Sequence, residues 1–437
     1  MHLDIILRTC SNSLLTPSDR KRICGDNREV LIKKCLLSLI SAIKSSNHQI
    51  TLTILDDNSD ARFINFIDLA TKGITCNVVN LPERGPNHSA LEQFKLAANS
   101  DGLVYVVEDD YLHEENAIDH MIGAYLYFMK RYNTGIVIYP YDCSLRYAEG
   151  QEACTTLYHD GIRYWRSVNK TANTMLTHYS TVKHNWIHFE NLATKYPRVL
   201  EDDTINKLYY SLENQDTTIR AFSPIPSIAY HVGYSAPVSI NTTHSSWVDL
   251  WNRISEWELI QGWFDYGNLY SHVVANLSDN STIVEIGAWR GKSTSCLGSL
   301  IKQSKKKIKV YAVDTFEGSN EQLHKDLIAT MPTSLFDEFI DNIKMCGVDD
   351  IVEPVRMTSV EASAKFKDAS IDFVMIDGSH DYESVVSDID AWLPKVKKGG
   401  LIAGDDYSNS WPNVKRAVDE KFGTKINVNN TTWHVAV

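Results

Sequence analysis

No apolar run in this chain approaches the roughly 20 residues that cross a bilayer, so no transmembrane segment is expected. The opening residues, MHLDIILRTC, lack the basic start and long apolar core of a secretory signal, and a cytoplasmic location is the expectation. Positive charge is also scarce. With 43 Lys and Arg against 55 Asp and Glu, the net charge is −12, which argues against non-specific nucleic-acid binding. The eight cysteines (Cys10, Cys24, Cys35, Cys76, Cys143, Cys154, Cys296, Cys346) include no CxxC pair, so they read as reduced thiols rather than zinc ligands. No internal repeat is visible. An acidic protein that handles anionic nucleotides must do so through local basic groups, backbone amides or bound cations.

What is present is enough material for two full cores: 437 residues, 43% hydrophobic and 22% charged. Apolar strands alternate with amphipathic helices in two separate series, the pattern of parallel α/β sheets. The first series runs from LDIILRT through ITLTILDD and TCNVVN to LVYVVEDD, with helices expected over Glu29–Ser45, Arg62–Lys72, Ser89–Asn99 and Asn116–Arg131. From Tyr139 to Pro197 the rhythm breaks, and a helix is expected again near Thr204–Leu212. The second series opens on the aromatic helix DLWNRISEWELIQGWF and passes through TIVEIG, KVYAVD, IVEPVR, IDFVMID and GGLIAGDD. It closes on KINVN and WHVAV, which Asn429-Asn430 would join as a tight hairpin. The expected organisation is therefore α/β in two domains, 1–238 and 256–437, with a Pro/Ser/Thr/Asn-rich seam at 239–255.

In the front half two strands end on acids: Asp56 and Asp57 in TILDDNSD, and Glu108, Asp109 and Asp110 in VYVVEDDYL. Acids at the carboxyl ends of parallel strands face the crevice where such sheets bind ligands. Beside a nucleotide diphosphate they are tolerable with Mg²⁺ or Mn²⁺ between them. This half resembles the family-2-like glycosyltransferases of the GT-A fold. The resemblance implies a nucleotide-sugar donor, with LRTCSN (including Arg8) as the nucleotide loop and Asp57 or Asp56 contacting the base. EDD stands for the metal-binding DxD motif, with Glu108 in the first place, Asp109 beside it and Asp110 as the direct ligand. In VLEDDTINKLYY the resemblance implies a base for an inverting transfer, Asp202 first and Glu201 next, although an acidic helix cap explains the same residues. His231 would be a further metal or diphosphate ligand, and Arg84 a phosphate contact.

In the rear half VEIGAWRGKST is a strand, a glycine turn and a helix start, of the form ExGxxxG rather than the dinucleotide GxGxxG. The next strand ends at Asp314, where an acid would hold ribose hydroxyls. Asp377 ends a fourth strand, Asp405 and Asp406 a fifth. Since adjacent strands lie about 4.8 Å apart, these carboxylates can converge on one cation. His380, three residues past Asp377, is then placed to deprotonate an alcohol polarised by the metal; its alternative role is to cap the following helix. The arrangement resembles class I AdoMet-dependent, metal-dependent sugar O-methyltransferases of the type related to TylF and MycE. That resemblance implies S-adenosyl-L-methionine held by Glu285, Gly287, Gly291, Asp314 and either Ser359 or Glu361, and Mg²⁺ held by Asp377, Asp405 and Asp406 with His380 as base.

Together the halves are similar to glycosyltransferase–methyltransferase fusions of large DNA viruses and phages, which implies sugar transfer to a glycan or glycoside acceptor followed by O-methylation, in the host cytoplasm for a viral protein. A front domain that binds a glycan or nucleotide sugar without transferring it is the alternative.

Overall fold

The computed structural model describes residues 1–12, 28–142, 156–210, 217–232 and 244–437, apart from 196, 199, 320 and 332, with the backbone alone at 62, 202, 244 and 245. The chain divides into two units, Met1–Ile254 and Ser255–Val437. No helix among the described residues is long and apolar enough to cross a membrane.

In the first unit the strands are β1 (His2–Thr9), β2 (Gln49–Asp56), β3 (Cys76–Asn80), β4 (Leu103–Glu108), β5 (Tyr111–His113), β6 (Ile136–Ile138), β7 (Leu157–His159), β8 (Tyr164–Val168), β9 (Met175–His178), β10 (Arg220–Ile225) and β11 (Ala229–His231). The order in the main sheet is β3-β2-β1-β4-β9-β6-β10-β8-β7, and β5 pairs with β11 in a small second sheet. β1 is parallel to both β2 and β4. Strand order therefore reverses between β1 and β4, which puts the ligand crevice of this unit at the ends carrying Arg8 and Glu108. Burial on both faces explains the continuous apolar runs: Leu3, Ile5, Ile6 and Leu7 of β1 are all in the core. The helix Ala61–Ala70 starts where the Asp60 side chain accepts the Phe63 amide, a side-chain N-cap.

Two expectations need correction here. The arrhythmic stretch 139–197 contributes β7, β8 and β9 as well as helices Tyr179–His184 and Trp186–Lys195. β9 runs antiparallel between β4 and β6, so its four residues carry no long hydrophobic signal of their own. The helix expected near Thr204–Leu212 is instead a pair of 3₁₀ turns, Glu201–Asp203 and Ile205–Leu208. Between them Thr204 leaves helical geometry (φ −129°, ψ −99°) and its hydroxyl donates back to the Leu200 carbonyl at 2.9 Å.

The aromatic segment is also divided. Its helix, His244–Arg253, stacks Trp247 on Tyr230 (5.6 Å) and sets Trp251 under Lys34, both within the first unit. The remainder continues as a 3₁₀ turn at Glu256–Leu259 in the second unit.

The second unit comprises β12 (Thr282–Ile286), β13 (Lys309–Asp314), β14 (Val352–Arg356), β15 (Ile371–Ile376), β16 (Val396–Gly404), β17 (Asn427–Asn429) and β18 (Thr432–Ala436), in the order β14-β13-β12-β15-β16-β18-β17. The first five are parallel, and the β17–β18 hairpin adds antiparallel strands at the edge. It is a Rossmann-like sheet. β15 shows why its sequence is apolar throughout: Phe373 and Met375 enter the core on one face, Val374 and Ile376 the core on the other. Strand order reverses between β12 and β15.

Candidate active sites

The loop after β12 meets the end of β15 at the reversal point. Gly287 has φ +87° and donates its amide to the Val313 carbonyl at 2.9 Å. A Cβ there would lie 1.8 Å from the Asp377 carbonyl oxygen, so only glycine fits. Beyond this pinch opens a cavity of about 710 Å³, walled by Gly287, Asp314, Ser359, Asp377, His380 and Asp406 among others.

At one end of the cavity Asp377, His380 and Asp406 each offer a ligand atom, all within 4.8 Å of one another. The two carboxylates suit Mg²⁺ or Mn²⁺, so they fit a divalent cation, with the imidazole standing beside it. His380 is held from both sides, its Nε2 2.8 Å from Asp406 Oδ2 and its Nδ1 2.7 Å from Glu321 Oε1, while its ring stacks on Trp411 at 4.0 Å. Burial would lower its pKa, but the hydrogen bonds to Asp406 and Glu321 prevail and raise it to about 9. Burial, with the nearby charge of Asp405, holds the Asp377 carboxyl well above the usual range, although Tyr266 donates its hydroxyl to Asp377 Oδ2 at 2.7 Å. The helix Tyr382–Trp392 is capped by Asp381, which accepts the Ser384 amide at 2.9 Å. His380 is therefore free of the capping role.

Several expected contacts are placed differently. Asp405 lies outside the ligand trio: its Oδ1 accepts from Thr431 (2.8 Å) and Thr432 (3.3 Å) of the hairpin side of the sheet. Glu285 is fully buried, with Tyr270 donating to Oε1 at 2.6 Å and Thr294 to Oε2, so its carboxylate ties strand to helix instead of walling the cavity. Gly291 also faces protein: a Cβ there would meet the Phe339 ring at 2.9 Å. Asp314 does wall the cavity. Its oxygens accept the Trp289 amide (2.9 Å) and the Phe316 amide (2.7 Å), and burial raises its pKa. Ser359 walls it too and accepts the Trp392 indole N–H at 2.9 Å.

The front crevice gathers a second set. Arg8 pairs with Glu108 and donates to the Pro86 carbonyl at 3.2 Å. Asp109 turns inward and is saturated: it accepts from Thr9 (2.9 Å), the Cys10 amide (3.1 Å) and Arg28 (2.6 Å to each oxygen), a structural anchor rather than a ligand contact. Asp110 Oδ2 lies 3.0 Å from His231 Nε2, and its buried Oδ1 has no hydrogen-bond partner. Burial opposes ionisation of both, yet the pair wins: the Asp110 pKa falls and that of His231 rises. Glu108, Asp110 and His231 are not among the groups of described residues whose ligand atoms converge within 4.8 Å; Glu108 is paired with Arg8.

Asp56 Oδ2 accepts the Ser59 amide at 2.9 Å, and Asp57 accepts the Gly85 amide at 3.0 and 3.2 Å, so both carboxylates shape loops. Arg84 is exposed. Glu201 is half-buried in its 3₁₀ turn; the Asp202 side chain lies outside the described residues.

Residues 284–407 match the family described as a methyltransferase domain. Protein R132 of Acanthamoeba polyphaga mimivirus, uncharacterized, is 31% identical over 162 residues, covering 35% of this chain and 66% of that protein. Protein y4gI of Sinorhizobium fredii, also uncharacterized, is 26% identical over 127 residues, 28% of this chain and 13% of that one. The chain thus spans less than two thirds of either relative. Among solved structures, the O-methyltransferase NovP is 20% identical with a TM-score of 0.31, covering 39% of this chain and 78% of that one. CalS11, a TDP-rhamnose 3'-O-methyltransferase, is 14% identical with a TM-score of 0.31, covering 39% and 77%.

Sequence reasoning missed Glu321, Tyr266 and Trp411. Glu321 stands 59 residues before His380 in a loop with no pattern, so only the fold brings the two together.

Proposed function

We propose that the second unit is an AdoMet-dependent O-methyltransferase acting on a sugar hydroxyl. The observation that carries this reading is His380, clamped between Asp406 and Glu321 at the wall of a cofactor-sized cavity in a methyltransferase domain. When bound, AdoMet would supply the methyl group, its carbon–sulfur bond breaking to leave S-adenosylhomocysteine as the acceptor oxygen takes the carbon; His380 would accept the hydroxyl proton at its imidazole. A divalent cation held by Asp377 and Asp406 would supply charge that favours the alkoxide. Asp314, at the end of β13, would hold the ribose diol. The test is methyl transfer from AdoMet to a panel of glycosides, with and without a chelator. Methylation of a catechol or a protein but of no glycoside contradicts the sugar assignment.

For the first unit we propose transfer of a sugar from a nucleotide-sugar donor, in the host cytoplasm if the source is viral. Asp110 and His231, 121 residues apart in sequence, meet at 3.0 Å beside the strand-order reversal, and a buried carboxylate oxygen is left without a partner. That supports a Mn²⁺ or Mg²⁺ at Asp110 and His231, with Arg8 toward the diphosphate; Asp202 or Glu201 remains the proposed base. Donor hydrolysis by the full chain with Mn²⁺ tests it. Donor binding without hydrolysis or transfer favours the binding-only alternative.

A further inference from the structure

Trp263 has no part in the chemistry above, yet it walls the same cavity while 54% exposed. It lies outside residues 284–407, so the methyltransferase-domain match does not reach it. Its ring is buttressed all the same. It packs against Trp289 at 6.1 Å and His324 at 5.2 Å, and those two rings stack on each other at 4.7 Å. Each support is fixed in turn: the Trp289 indole N–H donates to Gln261 Oε1 at 3.0 Å, and His324 Nδ1 lies 2.8 Å from Ser319 Oγ. An indole held in this way offers a large apolar plate that loses little side-chain freedom when a ligand settles on it.

Two tethers tie that plate to the reacting end of the cavity. Tyr266, three residues after Trp263, donates its hydroxyl to Asp377 Oδ2 at 2.7 Å. Glu321, three residues before His324, holds His380 Nδ1 at 2.7 Å. Three residues span at most roughly 11 Å, so neither tether leaves the plate far to stray. The same wall carries Ser319, Glu321 and Asp406, whose oxygens keep lone pairs for further hydrogen bonds.

We infer that Trp263 is the platform for the acceptor, a pyranose ring lying with its C–H face on the indole and turning an edge hydroxyl toward His380. This rests on the sugar O-methyltransferase reading of the second unit. A pyranose is two-sided: its C–H hydrogens carry a slight positive charge that suits the negative π face of an indole, while hydroxyls surround its edge. Those hydroxyls are donors for the oxygens of Ser319, Glu321 and Asp406. A flat aryl ring would also stack on Trp263, but it brings too few donors for these acceptors, and polar groups covered without partners cost affinity.

The experiment is binding to the full chain, wild type, Trp263→Ala and Trp263→Phe. S-adenosylhomocysteine is measured by calorimetry. Methyl β-D-glucopyranoside, methyl β-D-galactopyranoside and methyl α-L-rhamnopyranoside are then titrated into the S-adenosylhomocysteine-loaded protein by saturation-transfer NMR. The wild type should bind at least one of the three, with transfer strongest at ring C–H protons. W263A should weaken that glycoside by about tenfold or more and W263F by less, while S-adenosylhomocysteine affinity stays the same in all three proteins. Retained cofactor-product binding also shows that the alanine variant is folded. Undiminished glycoside binding by W263A overturns the proposal. So does a parallel loss of S-adenosylhomocysteine, which makes Trp263 a cofactor contact, and so does a loaded wild type that binds none of the three glycosides. A wild type that binds no S-adenosylhomocysteine overturns the AdoMet reading beneath it.

Discussion

Gly287 and Asp377 are in backbone contact: the position of a Gly287 Cβ lies 1.8 Å from the Asp377 carbonyl oxygen. Gly287→Ala must move one of the two central strand ends and also strains a φ of +87°. A penalty on the order of 3 kcal/mol is expected from overpacking and backbone strain together. Thermal unfolding should show a destabilised second unit, and calorimetry a loss of S-adenosylhomocysteine binding. An alanine variant with wild-type melting and binding contradicts the pinch.

His380→Ala should slow methyl transfer by ~10²–10⁴-fold while S-adenosylhomocysteine affinity is retained. The base works as neutral imidazole, and its pKa is raised to about 9 because its hydrogen bonds to Asp406 and Glu321 outweigh burial. The wild-type rate should therefore climb with pH along a limb lying above the ~6.5 of free imidazole. A rate independent of pH from 6 to 9 contradicts the assignment.

Glu321→Gln separates charge from position. The amide keeps the size and a hydrogen bond to Nδ1 but removes the negative charge that favours imidazolium. Its pH–rate limb should shift to lower pH than that of the wild type, whereas Glu321→Ala should also reduce the plateau rate. Profiles that superimpose with the wild type show that Glu321 does not act on His380.

The Asp388 carboxyl is pushed up to about 6, first by burial, from an ordinary 3.8. The folded state thus binds the proton more tightly than the unfolded one. The stabilisation is fully present below about pH 4 and lost as pH rises through 6, a change of roughly 3 kcal/mol. Asp388→Asn cannot ionise, so denaturant unfolding should show its stability relative to wild type growing between pH 4 and 6 and levelling above. A difference that stays flat across that window refutes the linkage.

In the first unit, Asp110→Asn and His231→Ala should each abolish any stimulation of donor hydrolysis by Mn²⁺, with melting temperature changed little. Stimulation that survives in both variants rules out the Asp110–His231 cation site.

The two sheets were legible because strand ends announce themselves. Apolar runs such as IDFVMI stop abruptly on Asp377, and a run buried on both faces has few other reasons to do so. The same rule says nothing of direction at Asp109, since a carboxylate at a strand end can turn inward to hydroxyls, amides or Arg28 as readily as outward to a ligand; Glu285, implied by resemblance alone, turns inward to Tyr270 and Thr294. Asp405 went to Thr431 and Thr432 because the closing hairpin brings two hydroxyls to its side. The short strand β9 and the partner Glu321 were beyond reach, as each is defined by tertiary neighbours and by no periodicity of its own.

The helix Gln322–Ala329 buries none of its residues fully, although Leu323 and His324 belong to the cavity wall. The turn before it is fastened through Glu321 to His380, and the helix itself by Ile328, which packs half-buried against the core, and by the stacking of His324 on Trp289 at 4.7 Å. Polar and edge contacts of this kind yield to solvent more readily than a packed core. Amide hydrogens here should exchange faster than those of the Tyr382–Trp392 helix, and filling the cavity should slow them.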